Sequence, residues 1–236
     1  MRVIVKGGSG KAGQRVSLDE DEVHHLRVRR AKNQEAVEIL DGAGLRGTGR
    51  LLQDGKQWLV EIESVNGEER PAELTLAVAA GDRERFSWMV EKAAELGVTR
   101  IVPLETARTA GVATRLKNAH IPKLRRAALE AIKQSGATWA PAIEDLVPLE
   151  EFIGRPSGGS RWLADLAGKP VPPVVDQRPL TAIIGPEGGL TDGERRALLA
   201  AGYLPVTLGR HTLRFETAAL AAAAAVAQAR MRGLNG

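Results

Sequence analysis

The most informative segment of the chain is Ile183-Ile184-Gly185-Pro186-Glu187-Gly188-Gly189-Leu190-Thr191-Asp192-Gly193-Glu194. An apolar run ends in a glycine-rich turn, and Thr191 and Glu194 then have the spacing of a capping box, which marks a helix start. A second segment shows the same order of apolar run, turn and helix start: Leu208-Gly209-Arg210-His211-Thr212-Leu213-Arg214-Phe215-Glu216-Thr217-Ala218. Ligands of open α/β sheets bind beyond the carboxyl ends of the strands. We therefore expect the two turns to form the floor and wall of a small-ligand pocket.

Strands and helices alternate from residue 72 onward. The apolar patterns predict strands over 74–80, 100–104, 161–166, 181–184 and 204–208. They predict helices over 83–96, 122–134, 191–201 and 215–231. This alternation predicts an α/β domain with a parallel sheet covered by helices.

The first seventy residues have a different pattern. Short alternating runs at 36–40, 45–52 and 57–62 are separated by Asp-Gly turns, which are typical of hairpins. They predict a small β-barrel. A polar segment ending in Pro71 follows, so we place domains at 1–70 and 71–236.

Composition excludes several kinds of site. The 236 residues contain no cysteine, and none of the four histidines has metal-ligand spacing, so we expect no metal. The turn Lys6-Gly7-Gly8-Ser9-Gly10-Lys11-Ala12 lacks the first glycine and the hydroxyl of a phosphate-binding loop, which disfavours a general nucleotide-phosphate enzyme. No signal peptide or membrane span is expected.

Basic residues are concentrated in two places. Arg27, Arg29, Arg30 and Lys32 form one cluster, and residues 106–129 contain six basic side chains and no acidic one. A single cluster is as readily a solvated face as a binding surface. Two clusters in one chain favour contact with a nucleic-acid backbone.

The two glycine-bearing segments resemble motifs of the ribosomal RNA small-subunit methyltransferase E family, which belongs to the SPOUT class. The resemblance extends to His24-His25-Leu26-Arg27-Val28-Arg29-Arg30, to Glu91-Lys92-Ala93-Ala94-Glu95-Leu96-Gly97-Val98, to Thr106-Ala107-Arg108 and to Gln134-Ser135. It therefore covers most of the chain in the same order. The chain departs from the family pattern at Thr212 and Phe215. It departs again at Lys133, where the family has glutamate, and at Ala137-Thr138, where it has an arginine.

The resemblance implies a fold and a reaction. It implies a PUA-like β-barrel followed by an α/β domain with a trefoil knot, a homodimer, and a cytoplasmic enzyme of ribosome biogenesis. Such an enzyme uses S-adenosylmethionine to methylate N3 of a uridine in 16S rRNA of the small ribosomal subunit. A ribose 2′-O-methyltransferase of the same class and a non-catalytic ribosome-binding or RNA-binding protein remain alternatives.

The candidate site residues follow from the motifs. We expect the cofactor at Gly185, Pro186, Glu187, Gly188, Gly189, Leu208, Gly209 and Leu213. We expect RNA contacts from Arg27, Arg29, Arg30, Lys92 and Arg108. Arg214 is the candidate for stabilising negative charge on the uracil and equally for a phosphate contact. Glu216 is the candidate general base, and its place in the first turn of the last helix equally fits a helix-stabilising carboxylate.

Overall fold

The computed structural model describes residues 1–6, 10–156 and 158–234. They form two compact units, Met1–Arg70 with Leu129–Ala140 and Pro71–Ala128 with Pro141–Gly236. Gly7, Gly8 and Ser9, the centre of the phosphate-loop-like turn, lie outside the described residues. No helix in the described part of the chain is long and apolar enough to cross a membrane.

The first unit is built on a mixed sheet with strand order β1-β3-β4-β5-β2. Strand β1 runs parallel to β3, and the other neighbours are antiparallel. The elements are β1 Arg2–Ile4, β2 Arg15–Ser17, α1 Glu20–Val28, β3 Ala36–Leu40, β4 Leu45–Asp54 and β5 Gln57–Gly67. Alternate residues of β5, among them Trp58, Val60 and Ile62, enter its apolar core. The β-rich first domain predicted from the sequence is confirmed.

Helix α1 was not predicted, since the sequence indicated strands and turns throughout this region. Its start is fixed by Asp19, whose side chain accepts a hydrogen bond of 2.9 Å from the backbone N–H of Glu22. Only Glu22 and Leu26 of the helix are buried, so its apolar periodicity is weak. The capping aspartate and the acidic first turn were the available signals.

Residues 129–140, which the sequence assigned to the second domain, pack with the first unit. Arg2 donates hydrogen bonds to the carbonyls of Lys133 (3.1 Å) and Gln134 (2.9 Å), and Arg46 donates one of 2.6 Å to the carbonyl of Gly136. The last carbonyls of a helix lack partners within it, and guanidinium groups suit its negative end. Lys133 and Gln134 lie 131 and 132 residues from Arg2, and Gly136 lies 90 residues from Arg46. Local sequence patterns could not reveal contacts between residues so far apart in sequence.

The second unit is a parallel sheet with strand order β12-β10-β11-β6-β7-β8, and β9 pairs with β7. Its helices and strands are β6 Leu74–Ala79, α2 Arg83–Glu95, β7 Arg100–Glu105, α3 Ile121–Ser135, β8 Ala142–Ile143, β9 Val147–Pro148, α4 Leu149–Ile153, β10 Ser160–Pro170, β11 Leu180–Ile184, α5 Asp192–Ala200, β12 Leu204–Thr207 and α6 Phe215–Leu234, the last seven residues of α3 belonging to the first unit. Strands β6 and β11 are buried along their whole length, as expected for central strands covered on both faces. The predicted α/β architecture is confirmed, and the trefoil knot stays a prediction.

Candidate active site

A cavity of about 310 Å³ opens beside the carboxyl ends of β11 and β12 and the middle of β10. Because β10 lies between β11 and β12 and runs parallel to both, the carboxyl ends of β11 and β12 lie at the same edge of the sheet. The volume lies at the lower end of the range of roughly 300–1,000 Å³ that small-molecule sites occupy. Its wall combines apolar side chains with the glycine-rich turns that follow β11 and β12.

Most of the predicted cofactor residues lie on this one wall. Those that line the cavity are Gly185, Pro186, Glu187, Gly189, Leu208, Gly209 and Leu213. Gly188 is not part of the lining, and its carbonyl accepts a hydrogen bond from Arg108. The structure therefore brings together two turns that are separated in sequence, as the strand order requires.

The glycine-rich turn after β11 has a defined conformation. The backbone N–H of Gly189 donates to the carbonyl of Pro186 at 2.8 Å, and Gly189 has a φ of +74°, which favours glycine. The Glu187 side chain accepts a hydrogen bond of 2.7 Å from Arg85, in the first turn of α2. Beyond the strand end the peptide groups leave the sheet ladder, so a ligand can approach them closely.

A capping box fixes the start of α5 directly after this turn. Thr191 Oγ1 accepts from the backbone N–H of Glu194 at 3.2 Å, and Glu194 Oε2 accepts from the backbone N–H of Thr191 at 2.7 Å. Glu194 Oε1 also accepts from the backbone N–H of Ala107 at 2.8 Å. Burial raises the pKa of Glu194, but these backbone donors, helped by the charge of Arg108, outweigh it and hold the pKa below its usual value.

The third part of the wall comes from an irregularity in β10. Ala164 and Lys169 both lie opposite Val206 of β12, so the residues between them bulge out of the sheet. Two of the bulged residues, Asp165 and Leu166, line the cavity. A Cβ atom on Gly168 would lie 2.4 Å from the backbone N of Val206, so the bulge needs glycine there.

Asp165 is held in the wall by Arg195, whose Nε donates to Oδ2 at 2.9 Å. Burial raises the pKa of Asp165, but hydrogen bonds from the backbone of Ala167 and from Arg195 hold it below its usual value. Asp165 and Arg195 both line the cavity, and neither belongs to the residues predicted from the sequence motifs. The available signal was the position of Asp165 at the carboxyl end of a predicted parallel strand. The bulge itself depends on pairing with β12 and left no local pattern.

The predicted catalytic residues lie beside the cavity and not in its lining. Arg214 is exposed, and Glu216 is 92% buried in the first turn of α6, since its exposed fraction is 8%. Glu216 Oε2 is buried without a hydrogen-bond partner among the described residues. Between them Phe215 does line the cavity, and its ring packs against Phe86 with a centroid distance of 6.2 Å.

The predicted RNA-binding residues are divided between the two units. Arg27, Arg29 and Arg30 are exposed at the end of α1 and just after it. Lys92 forms an ion pair of 2.6 Å with Glu95, and Arg108 donates to the glycine-rich turn. Of these five residues, the structure brings Arg108 alone to the glycine-rich turn. Across residues 1–6, 10–156 and 158–234, no group of three or more His, Asp or Glu side chains is placed to hold a metal ion.

Comparison with known proteins gives consistent matches along the chain. A sequence family described as RNA methyltransferase domain matches residues 68–227, and one described as RNA methyltransferase PUA domain matches residues 18–63. The ribosomal RNA small subunit methyltransferase E of Synechocystis sp. is 31% identical over 222 residues, which cover 89% of this chain and 72% of that protein. The protein of the same name from Bacillus subtilis is 26% identical, covering 89% and 88%.

Two solved structures are similar over nearly their whole length. A methyltransferase from Legionella pneumophila with the bound cofactor SAM has a TM-score of 0.83 at 29% identity, covering 94% of each chain. A ribosomal RNA small subunit methyltransferase E from Neisseria gonorrhoeae bound to S-adenosyl methionine has a TM-score of 0.80 at 27% identity, covering 98% of each chain.

Proposed function

The chain belongs to the ribosomal RNA small subunit methyltransferase E family, and from this premise we propose that it methylates N3 of a uridine in 16S rRNA. It is an S-adenosylmethionine-dependent rRNA methyltransferase of the SPOUT type with an N-terminal PUA-like domain. One observation carries the proposal furthest: two glycine-bearing turns, distant in sequence, form one cavity wall at the carboxyl ends of parallel strands.

The cavity suits S-adenosylmethionine in shape and chemistry. Leu163, Leu190 and Leu213 supply apolar surface for a flat purine ring. The peptide groups after Ile184 and Thr207 supply both donors and acceptors, which a neutral adenine needs. Asp165 supplies a carboxylate for the hydroxyl or cationic parts of the molecule. We therefore assign the cofactor to this wall and expect Gly185, Gly209 and Leu213 to contact it.

When bound, the cofactor supplies an electrophilic methyl group. The protein must then help to remove the N3 proton of the uracil, because the pKa of this N–H group lies well above neutral pH. Each pKa unit above ambient adds about 1.36 kcal/mol to the cost of ionising it. Exposed Arg214, beside the cavity-lining Leu213 and Phe215, is suited to stabilise the negative charge that develops on a uracil oxygen.

Glu216 is the proposed proton acceptor. Its Oε2 has no hydrogen-bond partner among the described residues and lies beside the cavity, so we propose that the uracil N3–H becomes its donor when the substrate binds. Its place in the first turn of α6 also supports the helix electrostatically. Kinetics of a Glu216→Gln variant distinguish these roles, as argued below.

RNA binding and assembly complete the proposal. The exposed arginines Arg27, Arg29 and Arg30 of the PUA-like domain, with Lys92, are proposed to contact the phosphate backbone of the small subunit rRNA. We propose a cytoplasmic homodimer with no membrane attachment. The dimer is supported by Trp88, which is 49% exposed on α2, because aromatic side chains are enriched at interfaces.

The experiment incubates the protein with methyl-labelled S-adenosylmethionine and small ribosomal subunits from a strain that lacks the activity. The RNA is digested and the labelled nucleoside is identified by mass spectrometry. Label in 3-methyluridine supports the proposal. Label on a ribose 2′-oxygen would keep the cofactor site and replace the target. Absence of both label and cofactor binding would favour a non-catalytic RNA-binding protein.

A further inference from the structure

Arg108 does not line the cavity itself, but its side chain contacts the glycine-rich turn that does. One of its guanidinium nitrogens, Nη1, donates to the carbonyl of Gly188 and lies 3.5 Å from that of Gly189. A Cβ atom on Gly188 would lie 3.3 Å from Arg108 Cδ, so the side chain also packs along the backbone of the turn. Gly189 lines the cavity together with Gly185, Pro186 and Glu187 of the same turn.

The segment that carries Arg108 is itself fixed. The backbone N–H of Thr106 donates to Thr109 Oγ1 at 2.9 Å, and the backbone N–H of Thr109 donates to the carbonyl of Thr106 at 3.1 Å. Both threonines are buried, with exposed fractions of 4% and 1%. Arg108 therefore extends from a rigid, closed turn at the end of β7.

A second, independent link joins the same two segments. Glu194 accepts from the backbone N–H of Ala107, next to Arg108, and from that of Thr191, just after the glycine-rich turn. The turn after β7 and the turn after β11 are thus joined at two points, one on each side of Leu190. Both links involve a charged group, since the Arg108 guanidinium donates at one and the Glu194 carboxylate accepts at the other, and such hydrogen bonds are stronger than those between neutral groups.

We propose that Arg108 is a positioning residue that holds the glycine-rich turn in the conformation the cofactor cavity requires. This rests on the proposed function, because it makes Arg108 act on cofactor affinity through the turn. It also changes the role expected from the sequence, where Arg108 was an RNA contact. A guanidinium group has five N–H donors, so contact with the turn leaves donors for a phosphate, but the positioning role does not depend on one.

The test compares Arg108→Ala with Arg108→Lys and with the matched control Lys123→Ala. Lys123 is an exposed basic residue of the same 106–129 cluster, so its removal changes RNA electrostatics without touching the turn. Cofactor binding is measured by calorimetry without RNA, and backbone amide exchange is measured for residues 187–191. RNA affinity is measured separately for all three variants.

Arg108→Ala is expected to weaken S-adenosylmethionine binding about tenfold, which corresponds to about 1.4 kcal/mol, and to raise amide exchange in the turn. Arg108→Lys, which keeps one charged donor group, should fall between it and the wild type. Lys123→Ala should leave both readouts unchanged. The proposal is overturned if Arg108→Ala keeps wild-type cofactor affinity and exchange and loses only RNA affinity, as Lys123→Ala does.

Failure of the proposed function has a different outcome. If the wild-type protein binds no S-adenosylmethionine, the assigned function fails, and amide exchange in the cofactor-free protein alone decides whether Arg108 holds the turn. Circular dichroism of each variant shows whether it is folded. If Arg108→Ala does not fold, the same comparison is made with Arg108→Lys, whose unchanged exchange and affinity would overturn the proposal.

Discussion

Lys133 and Glu22 form an ion pair of 2.6 Å in which the two side chains are 9% and 4% exposed. The pair joins α1 to the last turn of α3, and both residues belong to the first unit. Lys133 Nζ also lies 3.2 Å from Glu130, which is more exposed. Lys133 is one of the positions where the chain departs from the family pattern, and the ion pair with Glu22 gives this lysine a structural role.

Breaking the pair from the lysine side should be the more damaging change. Burial raises the pKa of Glu22 in spite of the hydrogen bond from Lys133, so the carboxylate is costly to keep charged. Lys133→Met leaves the Glu22 carboxylate buried without its lysine partner, and we expect a loss of about 3–5 kcal/mol in the free energy of unfolding. In Glu22→Gln the amide oxygen still accepts from the Lys133 ammonium, which also keeps its contact with Glu130. This change should therefore lower the free energy of unfolding by about 1 kcal/mol. Urea unfolding at neutral pH measures both, and equal losses would contradict this account.

The pH dependence of the Lys133→Met variant follows from the same cause. A raised pKa means that the folded state binds a proton more tightly than the unfolded state does. Stability lost at neutral pH should therefore be regained as the pH falls through the folded pKa toward the ordinary value of 4.5. If the loss of stability in Lys133→Met stays the same from neutral pH down to 4.5, the buried Glu22 carboxylate is not its cause.

The roles proposed for Arg214 and Glu216 can be tested separately by kinetic measurements on variants of each residue. If Arg214 stabilises charge on the uracil, Arg214→Ala should lower kcat by about 100-fold and leave cofactor affinity unchanged. If Arg214 contacts only a phosphate, KM for the RNA should rise while kcat is kept. Single-turnover methylation of small subunits, with RNA titrated, distinguishes the two. Full methylation by Arg214→Ala at wild-type KM would exclude both roles.

Glu216→Gln tests the proposed base. Loss of a general base should lower kcat by about 100-fold or more while the protein stays folded. A helix-stabilising carboxylate predicts a lower melting temperature with kcat unchanged. The measurement is kcat at a temperature below the melting transition, beside a thermal melt of the same variant.

The sequence predicted the five longer strands and the four longer helices of the α/β domain, because these strands are continuous apolar runs and Gly97 and the capping box at Thr191 mark helix ends locally. It did not predict the short elements β8, β9 and α4. It predicted that the two glycine-bearing turns lie on one cavity wall for a related reason, since parallel strands place their carboxyl ends at the same edge of the sheet. It missed Asp165 because the β10 bulge is defined by pairing with Val206. It gave no sign that residues 129–140 pack with the first unit, because Arg2 and Arg46 reach them from far away in sequence.

Protonation of Glu194 at acid pH should weaken its hydrogen bonds to the backbone N–H groups of Ala107 and Thr191, beside the glycine-rich turn. Its pKa is held below the ordinary value of 4.5, so its contribution to stability is complete above that value and is lost as the pH falls through the folded pKa. The melting temperature of the wild type should therefore decline on acidification more steeply than that of Glu194→Gln, whose side chain does not titrate. Scanning fluorimetry across this acid range measures the difference, and parallel curves would exclude Glu194 as a contributor.

The proposed dimer predicts a mass of twice 25.2 kDa in light scattering. Placing a charge at Trp88 should prevent association, because a buried unpaired carboxylate is costly in an interface. Trp88→Glu is therefore expected to be monomeric. Leu204→Glu alters another exposed apolar residue of the second unit and should remain dimeric. A monomeric wild-type protein, or equal masses for the two variants, would contradict the assignment.

The β10 bulge predicts that glycine at position 168 cannot be replaced. A Cβ atom there would lie 2.4 Å from the backbone N of Val206 and 2.5 Å from the carbonyl carbon of Pro205, and backbone atoms cannot move aside as a flexible side chain can. Gly168→Ala should separate β10 from β12, displace Asp165 from the cavity wall and lower both the melting temperature and cofactor affinity. Gly193→Ala is the matched control, since its Cβ would meet only Thr191 Oγ1 at 3.9 Å and alanine favours the helix by about 1 kcal/mol. Melting curves with and without S-adenosylmethionine test both variants, and a Gly168→Ala protein with wild-type stability and cofactor shift would show that the bulge does not shape the wall.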